Sequence, residues 1–415
     1  MSQSPLSPGP LSSGPFSYKN FRCLWSSSLC AYGAMWIQAA TLSWLAYDIT
    51  GSTTMVGAIL AVRVIPLLSL APISGVAADR YDRRKILQFA QWLSAGSVFV
   101  FGALLAFDLI QTWMLFAFTI ILGVGNVIDR PSRHSTVFEV VPREIVPKAV
   151  AYNVMGNSSM RVLGPAIAGL LIAAIGAAGN FFIQGALYLA SGLLAYLVVF
   201  PPKKPKSSAV SAWGELKEGF RYLARDRTTR ILMSITAIQY FLLVPIFNTL
   251  FPVYAKDIYK VGPEGLGLMF TFVGVGGVIG AATASMLMRL DRIGMIQTGA
   301  ILVYCAALVG LALSQSFYLA LAMCSLAGAA EMVNSVNNQT MLQLSAPPEM
   351  RGRVVSLIQL NPALIASGSL VAGALGDFIG APGACMAVSA VSASLILTML
   401  FASPFLRSLR LSRYR

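Results

Sequence analysis

Apolar runs of twenty or more residues recur from about residue 20 to residue 406, and no other feature limits the fold of this chain so severely. At 1.5 Å per residue, each run is long enough as a helix to cross a hydrocarbon core of roughly 30 Å. Twelve can be counted, at about 20–47, 54–77, 86–107, 111–134, 149–174, 178–200, 230–254, 263–288, 293–313, 316–340, 353–376 and 382–406. Composition agrees: 56% of residues are apolar and mean hydropathy is +0.72, above the roughly 45–50% apolar content of ordinary globular domains. In lipid, backbone polar groups must be satisfied within their own segment or in a closed barrel, and runs without period-2 alternation select the helix. The expected fold is an all-α polytopic membrane protein of twelve transmembrane helices.

Several chemistries are disfavoured at the outset. Cys23, Cys30, Cys305, Cys324 and Cys385 are widely spaced within apolar runs, and His134 is the single histidine, so neither a disulfide framework nor a metal-ligand pattern is expected. No cofactor is called for. An embedded enzyme would need a nucleophile with a base or a metal, and His134 has no evident companion. The net charge of +14 does not point to nucleic acid, because of where the charge lies. Of 30 Lys and Arg, 24 fall in the tails and in alternate loops, while the opposite loops hold Lys256 and Lys260. That asymmetry predicts both termini on the cytoplasmic side of the membrane.

The organisation expected is a disordered Pro/Ser/Gly-rich tail at 1–18, a six-helix bundle at 19–200, a basic linker at 201–229, a second bundle at 230–406 and a basic tail at 407–415. The linker carries an amphipathic stretch with Trp213, Leu216, Phe220 and Leu223 at helical spacing. The bundles repeat each other: GPAIAGLLIAAIG at 164–176 matches GSLVAGALGDFIG at 368–380, and VPREI at 141–145 matches PPEMR at 347–351. Two six-helix repeats around a midplane site are transporter architecture.

Charge is scarce at 11%, yet GVAADRYDRRKI at 75–86 holds six charged residues. Gly75, Asp79, Arg80, Arg83 and Arg84 fit G-x-x-x-D-R-x-x-R-[RK], and the segment resembles the helix 2 to helix 3 loop of the major facilitator superfamily, with Asp82 replacing the usual glycine. The resemblance implies a conformational latch: Asp79 at a helix N-terminus and the arginines paired with acids below the fourth helix. In the fifth span, Gly164, Pro165 and Gly169 resemble the G-P-x-x-G-G signature of proton-coupled exporters, with Ala168 in place of a glycine, which implies a hinge. From FRCLW through VVPREIVPKAVAYN, and over residues 17–406 as a whole, the chain is similar to the branch of the superfamily that exports enterobactin and related siderophores and drugs.

Ionisable groups inside spans are costly and count as functional candidates. Asn126, Asp129, Arg130 and Arg133 share one face of the fourth span; Glu331, Asn334 and Asn338 share one face of the tenth, its counterpart in the repeat. Such stripes are expected to line a shared cavity. Arg63 and Arg161 add two cations, which would make the cavity electropositive and suited to carboxylate, catecholate or phosphate groups. Trp36, Gln38, Gln239, Tyr240 and Phe247 are further cargo contacts. Glu331 is the expected proton carrier, as the one acid deep in the C-terminal half, about 22 Å from the outer end of its helix. Asp129 is its rival, held ionised by Arg130 and Arg133.

These readings predict a monomeric secondary transporter that exchanges protons for a small organic, anionic or siderophore-like molecule. Uptake or facilitated transport by the same fold is the alternative, and a non-transporting membrane sensor is the alternative of another class.

Overall fold

The computed structural model describes residues 14–70, 82–199, 212–347, 350–410 and 412, and among these it is helical with no strand. Nine helical stretches are long and apolar enough to cross a membrane among the described residues. Two of them, Val146–Tyr196 and Gly352–Ala402, run for 51 residues, about twice what a bilayer requires. Each breaks near its middle at a glycine, Gly176 with φ 74° and ψ 171° and Gly380 with φ 77° and ψ 158°, and the second also turns at Gln359 and Leu360. Split at these glycines, the nine become eleven spans, and Lys19–Thr50, with its run of serines at 26–28, is the twelfth.

The spans are α1 Lys19–Thr50, α2 Thr53–Leu70, α3 Arg83–Ala106, α4 Thr112–Val137, α5 and α6 on either side of Gly176, α7 Arg227–Ile258, α8 Gly262–Leu290, α9 Ile293–Leu313, α10 Phe317–Ser345, and α11 and α12 on either side of Gly380. A linker helix, Ala212–Arg225, precedes α7. Within α7, Ile238–Leu243 and Tyr254–Ile258 wind as π-helix.

The repeat seen in the sequence is built into the backbone. Gly176 and Gly380 are the aligned last residues of its two copies, and both adopt a conformation in which a Cβ is strained. The aligned first residues also match in use. A Cβ on Gly164 would stand 2.6 Å from Cβ of Trp36 on α1, and one on Gly368 would stand 1.9 Å from the Phe241 carbonyl oxygen on α7. Gly164 therefore serves close approach of α5 to α1, and the helix continues past Pro165 without leaving helical dihedrals until Gly176. Gly380→Ala is expected to cost about 1–3 kcal/mol, measured as a lower melting temperature of the purified protein. Gly299→Ala, whose Cβ meets nothing within 4 Å, should be neutral or stabilising.

By internal contacts the chain forms two compact units, Met1–Leu42 with Ile65–Val210, and Ser43–Val64 with Ser211–Arg415. In the first, Phe101, Phe118 and Phe181 pack together between α3, α4 and α6, the Phe101 and Phe118 rings stacked with centroids 4.2 Å apart and Phe181 edge-on to both. Within the expected N-terminal tail, Pro15–Ser17 form a 3-10 turn, and Phe16 sets its ring edge-on to Phe21, Trp25 and Tyr152.

In the second unit, backbones touch through glycine. Cβ atoms on Gly276, Gly280 and Gly328 would stand 1.8, 2.3 and 2.0 Å from carbonyl oxygens across the α8–α10 contact. Gly57 and Gly373 do the same between α2 and α11, both at 2.2 Å. Close helix approach of this kind suits lipid, where dispersion rather than water exclusion drives association. At the linker end, Leu232, Ile293, Met341, Leu342, Val354 and Leu409 form a buried cluster on which Tyr222 and Phe405 pack.

Candidate functional site

In the first unit, the polar stripe of α4 divides. Arg133 is 1% exposed, and each nitrogen of its guanidinium has an acceptor. Nε and Nη2 donate to the two carboxylate oxygens of Asp129 at 2.9 and 2.8 Å, Nη1 reaches the hydroxyls of Ser27 and Ser28 at 3.2 and 3.1 Å, and Nη2 reaches that of Ser191 at 3.4 Å. Gln91 adds a third hydrogen bond to Asp129 at 2.8 Å. This cluster joins α1, α3, α4 and α6. Arg130, by contrast, is exposed, with Nη2 3.9 Å from the sulfur of Met35, and half-buried Asn126 donates to its own helix at the Leu122 carbonyl, 3.0 Å away.

Beside it, α1 and α5 meet through a ladder of polar and aromatic groups. Tyr32 and the amide of Asn153 lie 3.2 Å apart, Trp36 Nε1 donates to Asn157 at 3.0 Å, and the Arg161 guanidinium carbon stands 5.9 Å from the Trp36 ring centre. Asn153, Asn157 and Arg161 recur every four residues and so share one face. Gln38 is buried and accepts from the Tyr188 hydroxyl at 3.0 Å, within the bundle.

In the second unit, the α10 stripe meets the first π segment of α7. Gln239 Nε2 donates to the Glu331 carbonyl at 3.3 Å and to Ser335 Oγ at 2.8 Å, while its oxygen accepts from Asn334; the Tyr240 hydroxyl is 3.1 Å from the same Ser335. Glu331 is 4% exposed and Asn334 1%. One turn on, Asn338 donates to Thr236 Oγ1 at 2.5 Å and accepts from Gln297 of α9 at 3.2 Å. Phe247 packs against Tyr304 and Phe251. Arg63 is half-buried on α2.

The end of this unit opposite the linker carries a bonding network that sequence reasoning missed. Asp377 receives Ser52 Oγ at 2.5 Å and the backbone N–H groups of Thr53 and Thr54 at 2.8 and 3.0 Å; the Thr53 hydroxyl is shared between Asp377, at 2.8 Å, and the Gly373 carbonyl, at 2.6 Å. The carboxylate thus caps the N-terminus of α2, where the helix dipole favours an anion. Next to it, Lys256 lies 2.5 Å from Asp48, and Tyr47 donates to Asp257. The available signal was Lys256 itself, one of two cations in otherwise cation-free loops.

Of the expected latch, Gly75, Asp79 and Arg80 lie outside the described residues. Arg83 pairs with Glu139, just past α4, at 2.5 Å. Arg84 donates to the Val198 carbonyl at 3.2 and 2.9 Å and stacks over Tyr196, closing the C-terminal end of α6.

Compared with known families, residues 10–412 match the model described as transmembrane secretion effector. The chain belongs to that family, within the major facilitator superfamily. This secretion-effector protein is 24% identical to the staphyloferrin A transporter of Staphylococcus aureus over 86% of its own length and 89% of that relative's. It is 25% identical to the multidrug efflux pump Tap of Mycolicibacterium fortuitum, over 85% and 88%, and 26% identical to the enterobactin exporter EntS of Shigella flexneri, over 69% and 67%. Its fold is similar to a solved bacterial homologue of the lysosomal transporter Spinster, with TM-score 0.73 at 16% identity and coverage of 97% and 98%. It is also similar to a D-xylose–proton symporter, with TM-score 0.71 at 16% identity and coverage of 96% and 100%. The all-α, twelve-span fold is that of the superfamily, and the secretion-effector chain is a multi-pass membrane transporter.

Proposed function

We propose that the protein exports a small organic anion, siderophore-like in chemistry, across a bacterial cytoplasmic membrane in exchange for protons, with both termini in the cytoplasm. Export is supported by the secretion-effector family and by relatives named as efflux and siderophore transporters. An anionic cargo is supported by the α1–α5 ladder, where Trp36, Asn157 and Arg161 offer an aromatic face, an amide and a guanidinium within one unit, with Arg130 exposed on α4. Arg133 is committed to Asp129 and three serines, so its role in this reading is to brace the bundle.

Proton coupling rests on one observation, Glu331, a carboxylic acid 4% exposed in the middle of α10 whose backbone carbonyl is tied to the π segment of α7. A charge at such a depth is costly, so gain or loss of its proton changes which packing of α7 against α10 is favoured. In proteoliposomes, Glu331→Gln should abolish uphill, proton-driven cargo movement and retain downhill exchange of cargo for cargo. Uphill transport persisting in that variant would transfer the role to another acid, with Asp129→Asn as the next test.

A further inference from the structure

The two faces of the linker helix Ala212–Arg225 are used differently. Inward, Gly219 lies against the first turn of α11, where a Cβ would stand 3.1 Å from the Arg353 carbonyl oxygen and 3.3 Å from Leu357. Glu218 pairs with Arg353 at 2.5 Å, and Tyr222 packs on the buried cluster at the linker end. The helix is also tied to α7: Arg230 Nη1 donates to the Ala224 carbonyl at 2.8 Å, and Asp226 caps α7 by accepting from the Thr229 N–H at 2.6 Å. It is therefore fixed beside the first turns of two membrane spans.

Outward, Lys217, Phe220, Arg221, Ala224 and Arg225 are exposed. Lys217, Arg221 and Arg225 follow at intervals of four and make a cationic ridge on one face. Phe220, 49% exposed, flanks that ridge. Glu218 is turned to Arg353. Upstream, the sequence adds Lys203, Lys204 and Lys206.

A surface made only for water has no use for an exposed phenylalanine beside three cations, and a soluble anion would use the cations but not the ring. A bilayer interface uses both: phosphates meet the cations, and the aromatic side chain enters the headgroup–acyl boundary. We propose that this ridge binds the headgroups of anionic phospholipids in the leaflet at the linker end. Because the same helix carries Glu218, the leaflet's charge then bears on the Glu218–Arg353 pair and the entry of α11.

Hydrogen exchange of the whole protein in nanodiscs tests this without any cargo, so it can fail while the transport reading stands. Peptides covering 214–225 should exchange roughly tenfold more slowly in discs containing phosphatidylglycerol than in pure phosphatidylcholine. The K217Q/R221Q/R225Q variant should lose that difference, with α8–α10 peptides unchanged as the check on folding. Phe220→Ser should keep part of it. Equal exchange in both lipids, or a lipid difference that survives the triple substitution, overturns the proposal. So does equal protection by inorganic phosphate in phosphatidylcholine discs, which would assign the ridge to soluble anions.

Discussion

Arg133→Ala should be the most damaging single substitution in the first unit, lowering stability by about 3–5 kcal/mol. The guanidinium bonds Asp129, Ser27, Ser28 and Ser191 at once, so its removal leaves the Asp129 carboxylate with Gln91 but without its countercharge. Asp129→Ala strands the opposite charge and should cost a similar amount. The double variant Asp129→Ala with Arg133→Ala should be less damaging than the sum of the two, because it removes both charges together and strands neither. Melting temperatures of the four detergent-purified proteins complete the cycle. Strict additivity would show that the pair does not act as a unit.

The second large effect is expected in the second unit, at its end opposite the linker. Asp377→Ala removes the acceptor for Ser52, Thr53 and Thr54 and leaves α2 held to α11 by the Thr53 hydroxyl on the Gly373 carbonyl and by close glycine packing. In the transport reading this is the outer end, and it must part before cargo is released. Asp377 is itself exposed, so water takes over much of what is lost, and the expected shift toward the parted state is roughly tenfold. A cysteine placed at Val56, fully buried on α2 beside Gly57, reports it through a membrane-impermeant maleimide. Labelling should quicken by that factor in the Asp377→Ala background and stay slow without it. Unchanged labelling would mean that the Thr53–Gly373 bond and glycine packing hold the contact without Asp377.

The fold was legible because its signals are local or strictly periodic. Apolar length marks the spans, loop charge separates alternate connections, and the matched stretches ending in Gly176 and Gly380 display the repeat. The candidate sites were legible only in part, because helical register places residues on a face without saying what that face meets. Asp129 and Arg133 share a register with Arg130, yet a step of 100° around the helix puts the first two among serines and leaves the third exposed. Asn153 and Asn157 gave no signal on their own, since their meaning comes from Tyr32 and Trp36 more than a hundred residues away. Asp48 and Asp377 look like ordinary helix-end acids until Lys256 and the amides of α2 are brought to them.

The winding of α7 carries a mechanical implication. A π turn takes up one residue more than an α turn does over the same length, so each of the two π segments holds slack within a hydrogen-bonded rod. If either tightens to α geometry, everything beyond it turns by about 100° and advances about 1.5 Å, as on a screw thread. The segment at 238–243 carries Gln239 and Tyr240, and that at 254–258 carries Lys256 and Asp257. A quarter-turn started beside Glu331 would thus arrive at Asp48 and Tyr47 as a twist that draws Lys256 and Asp257 away from them.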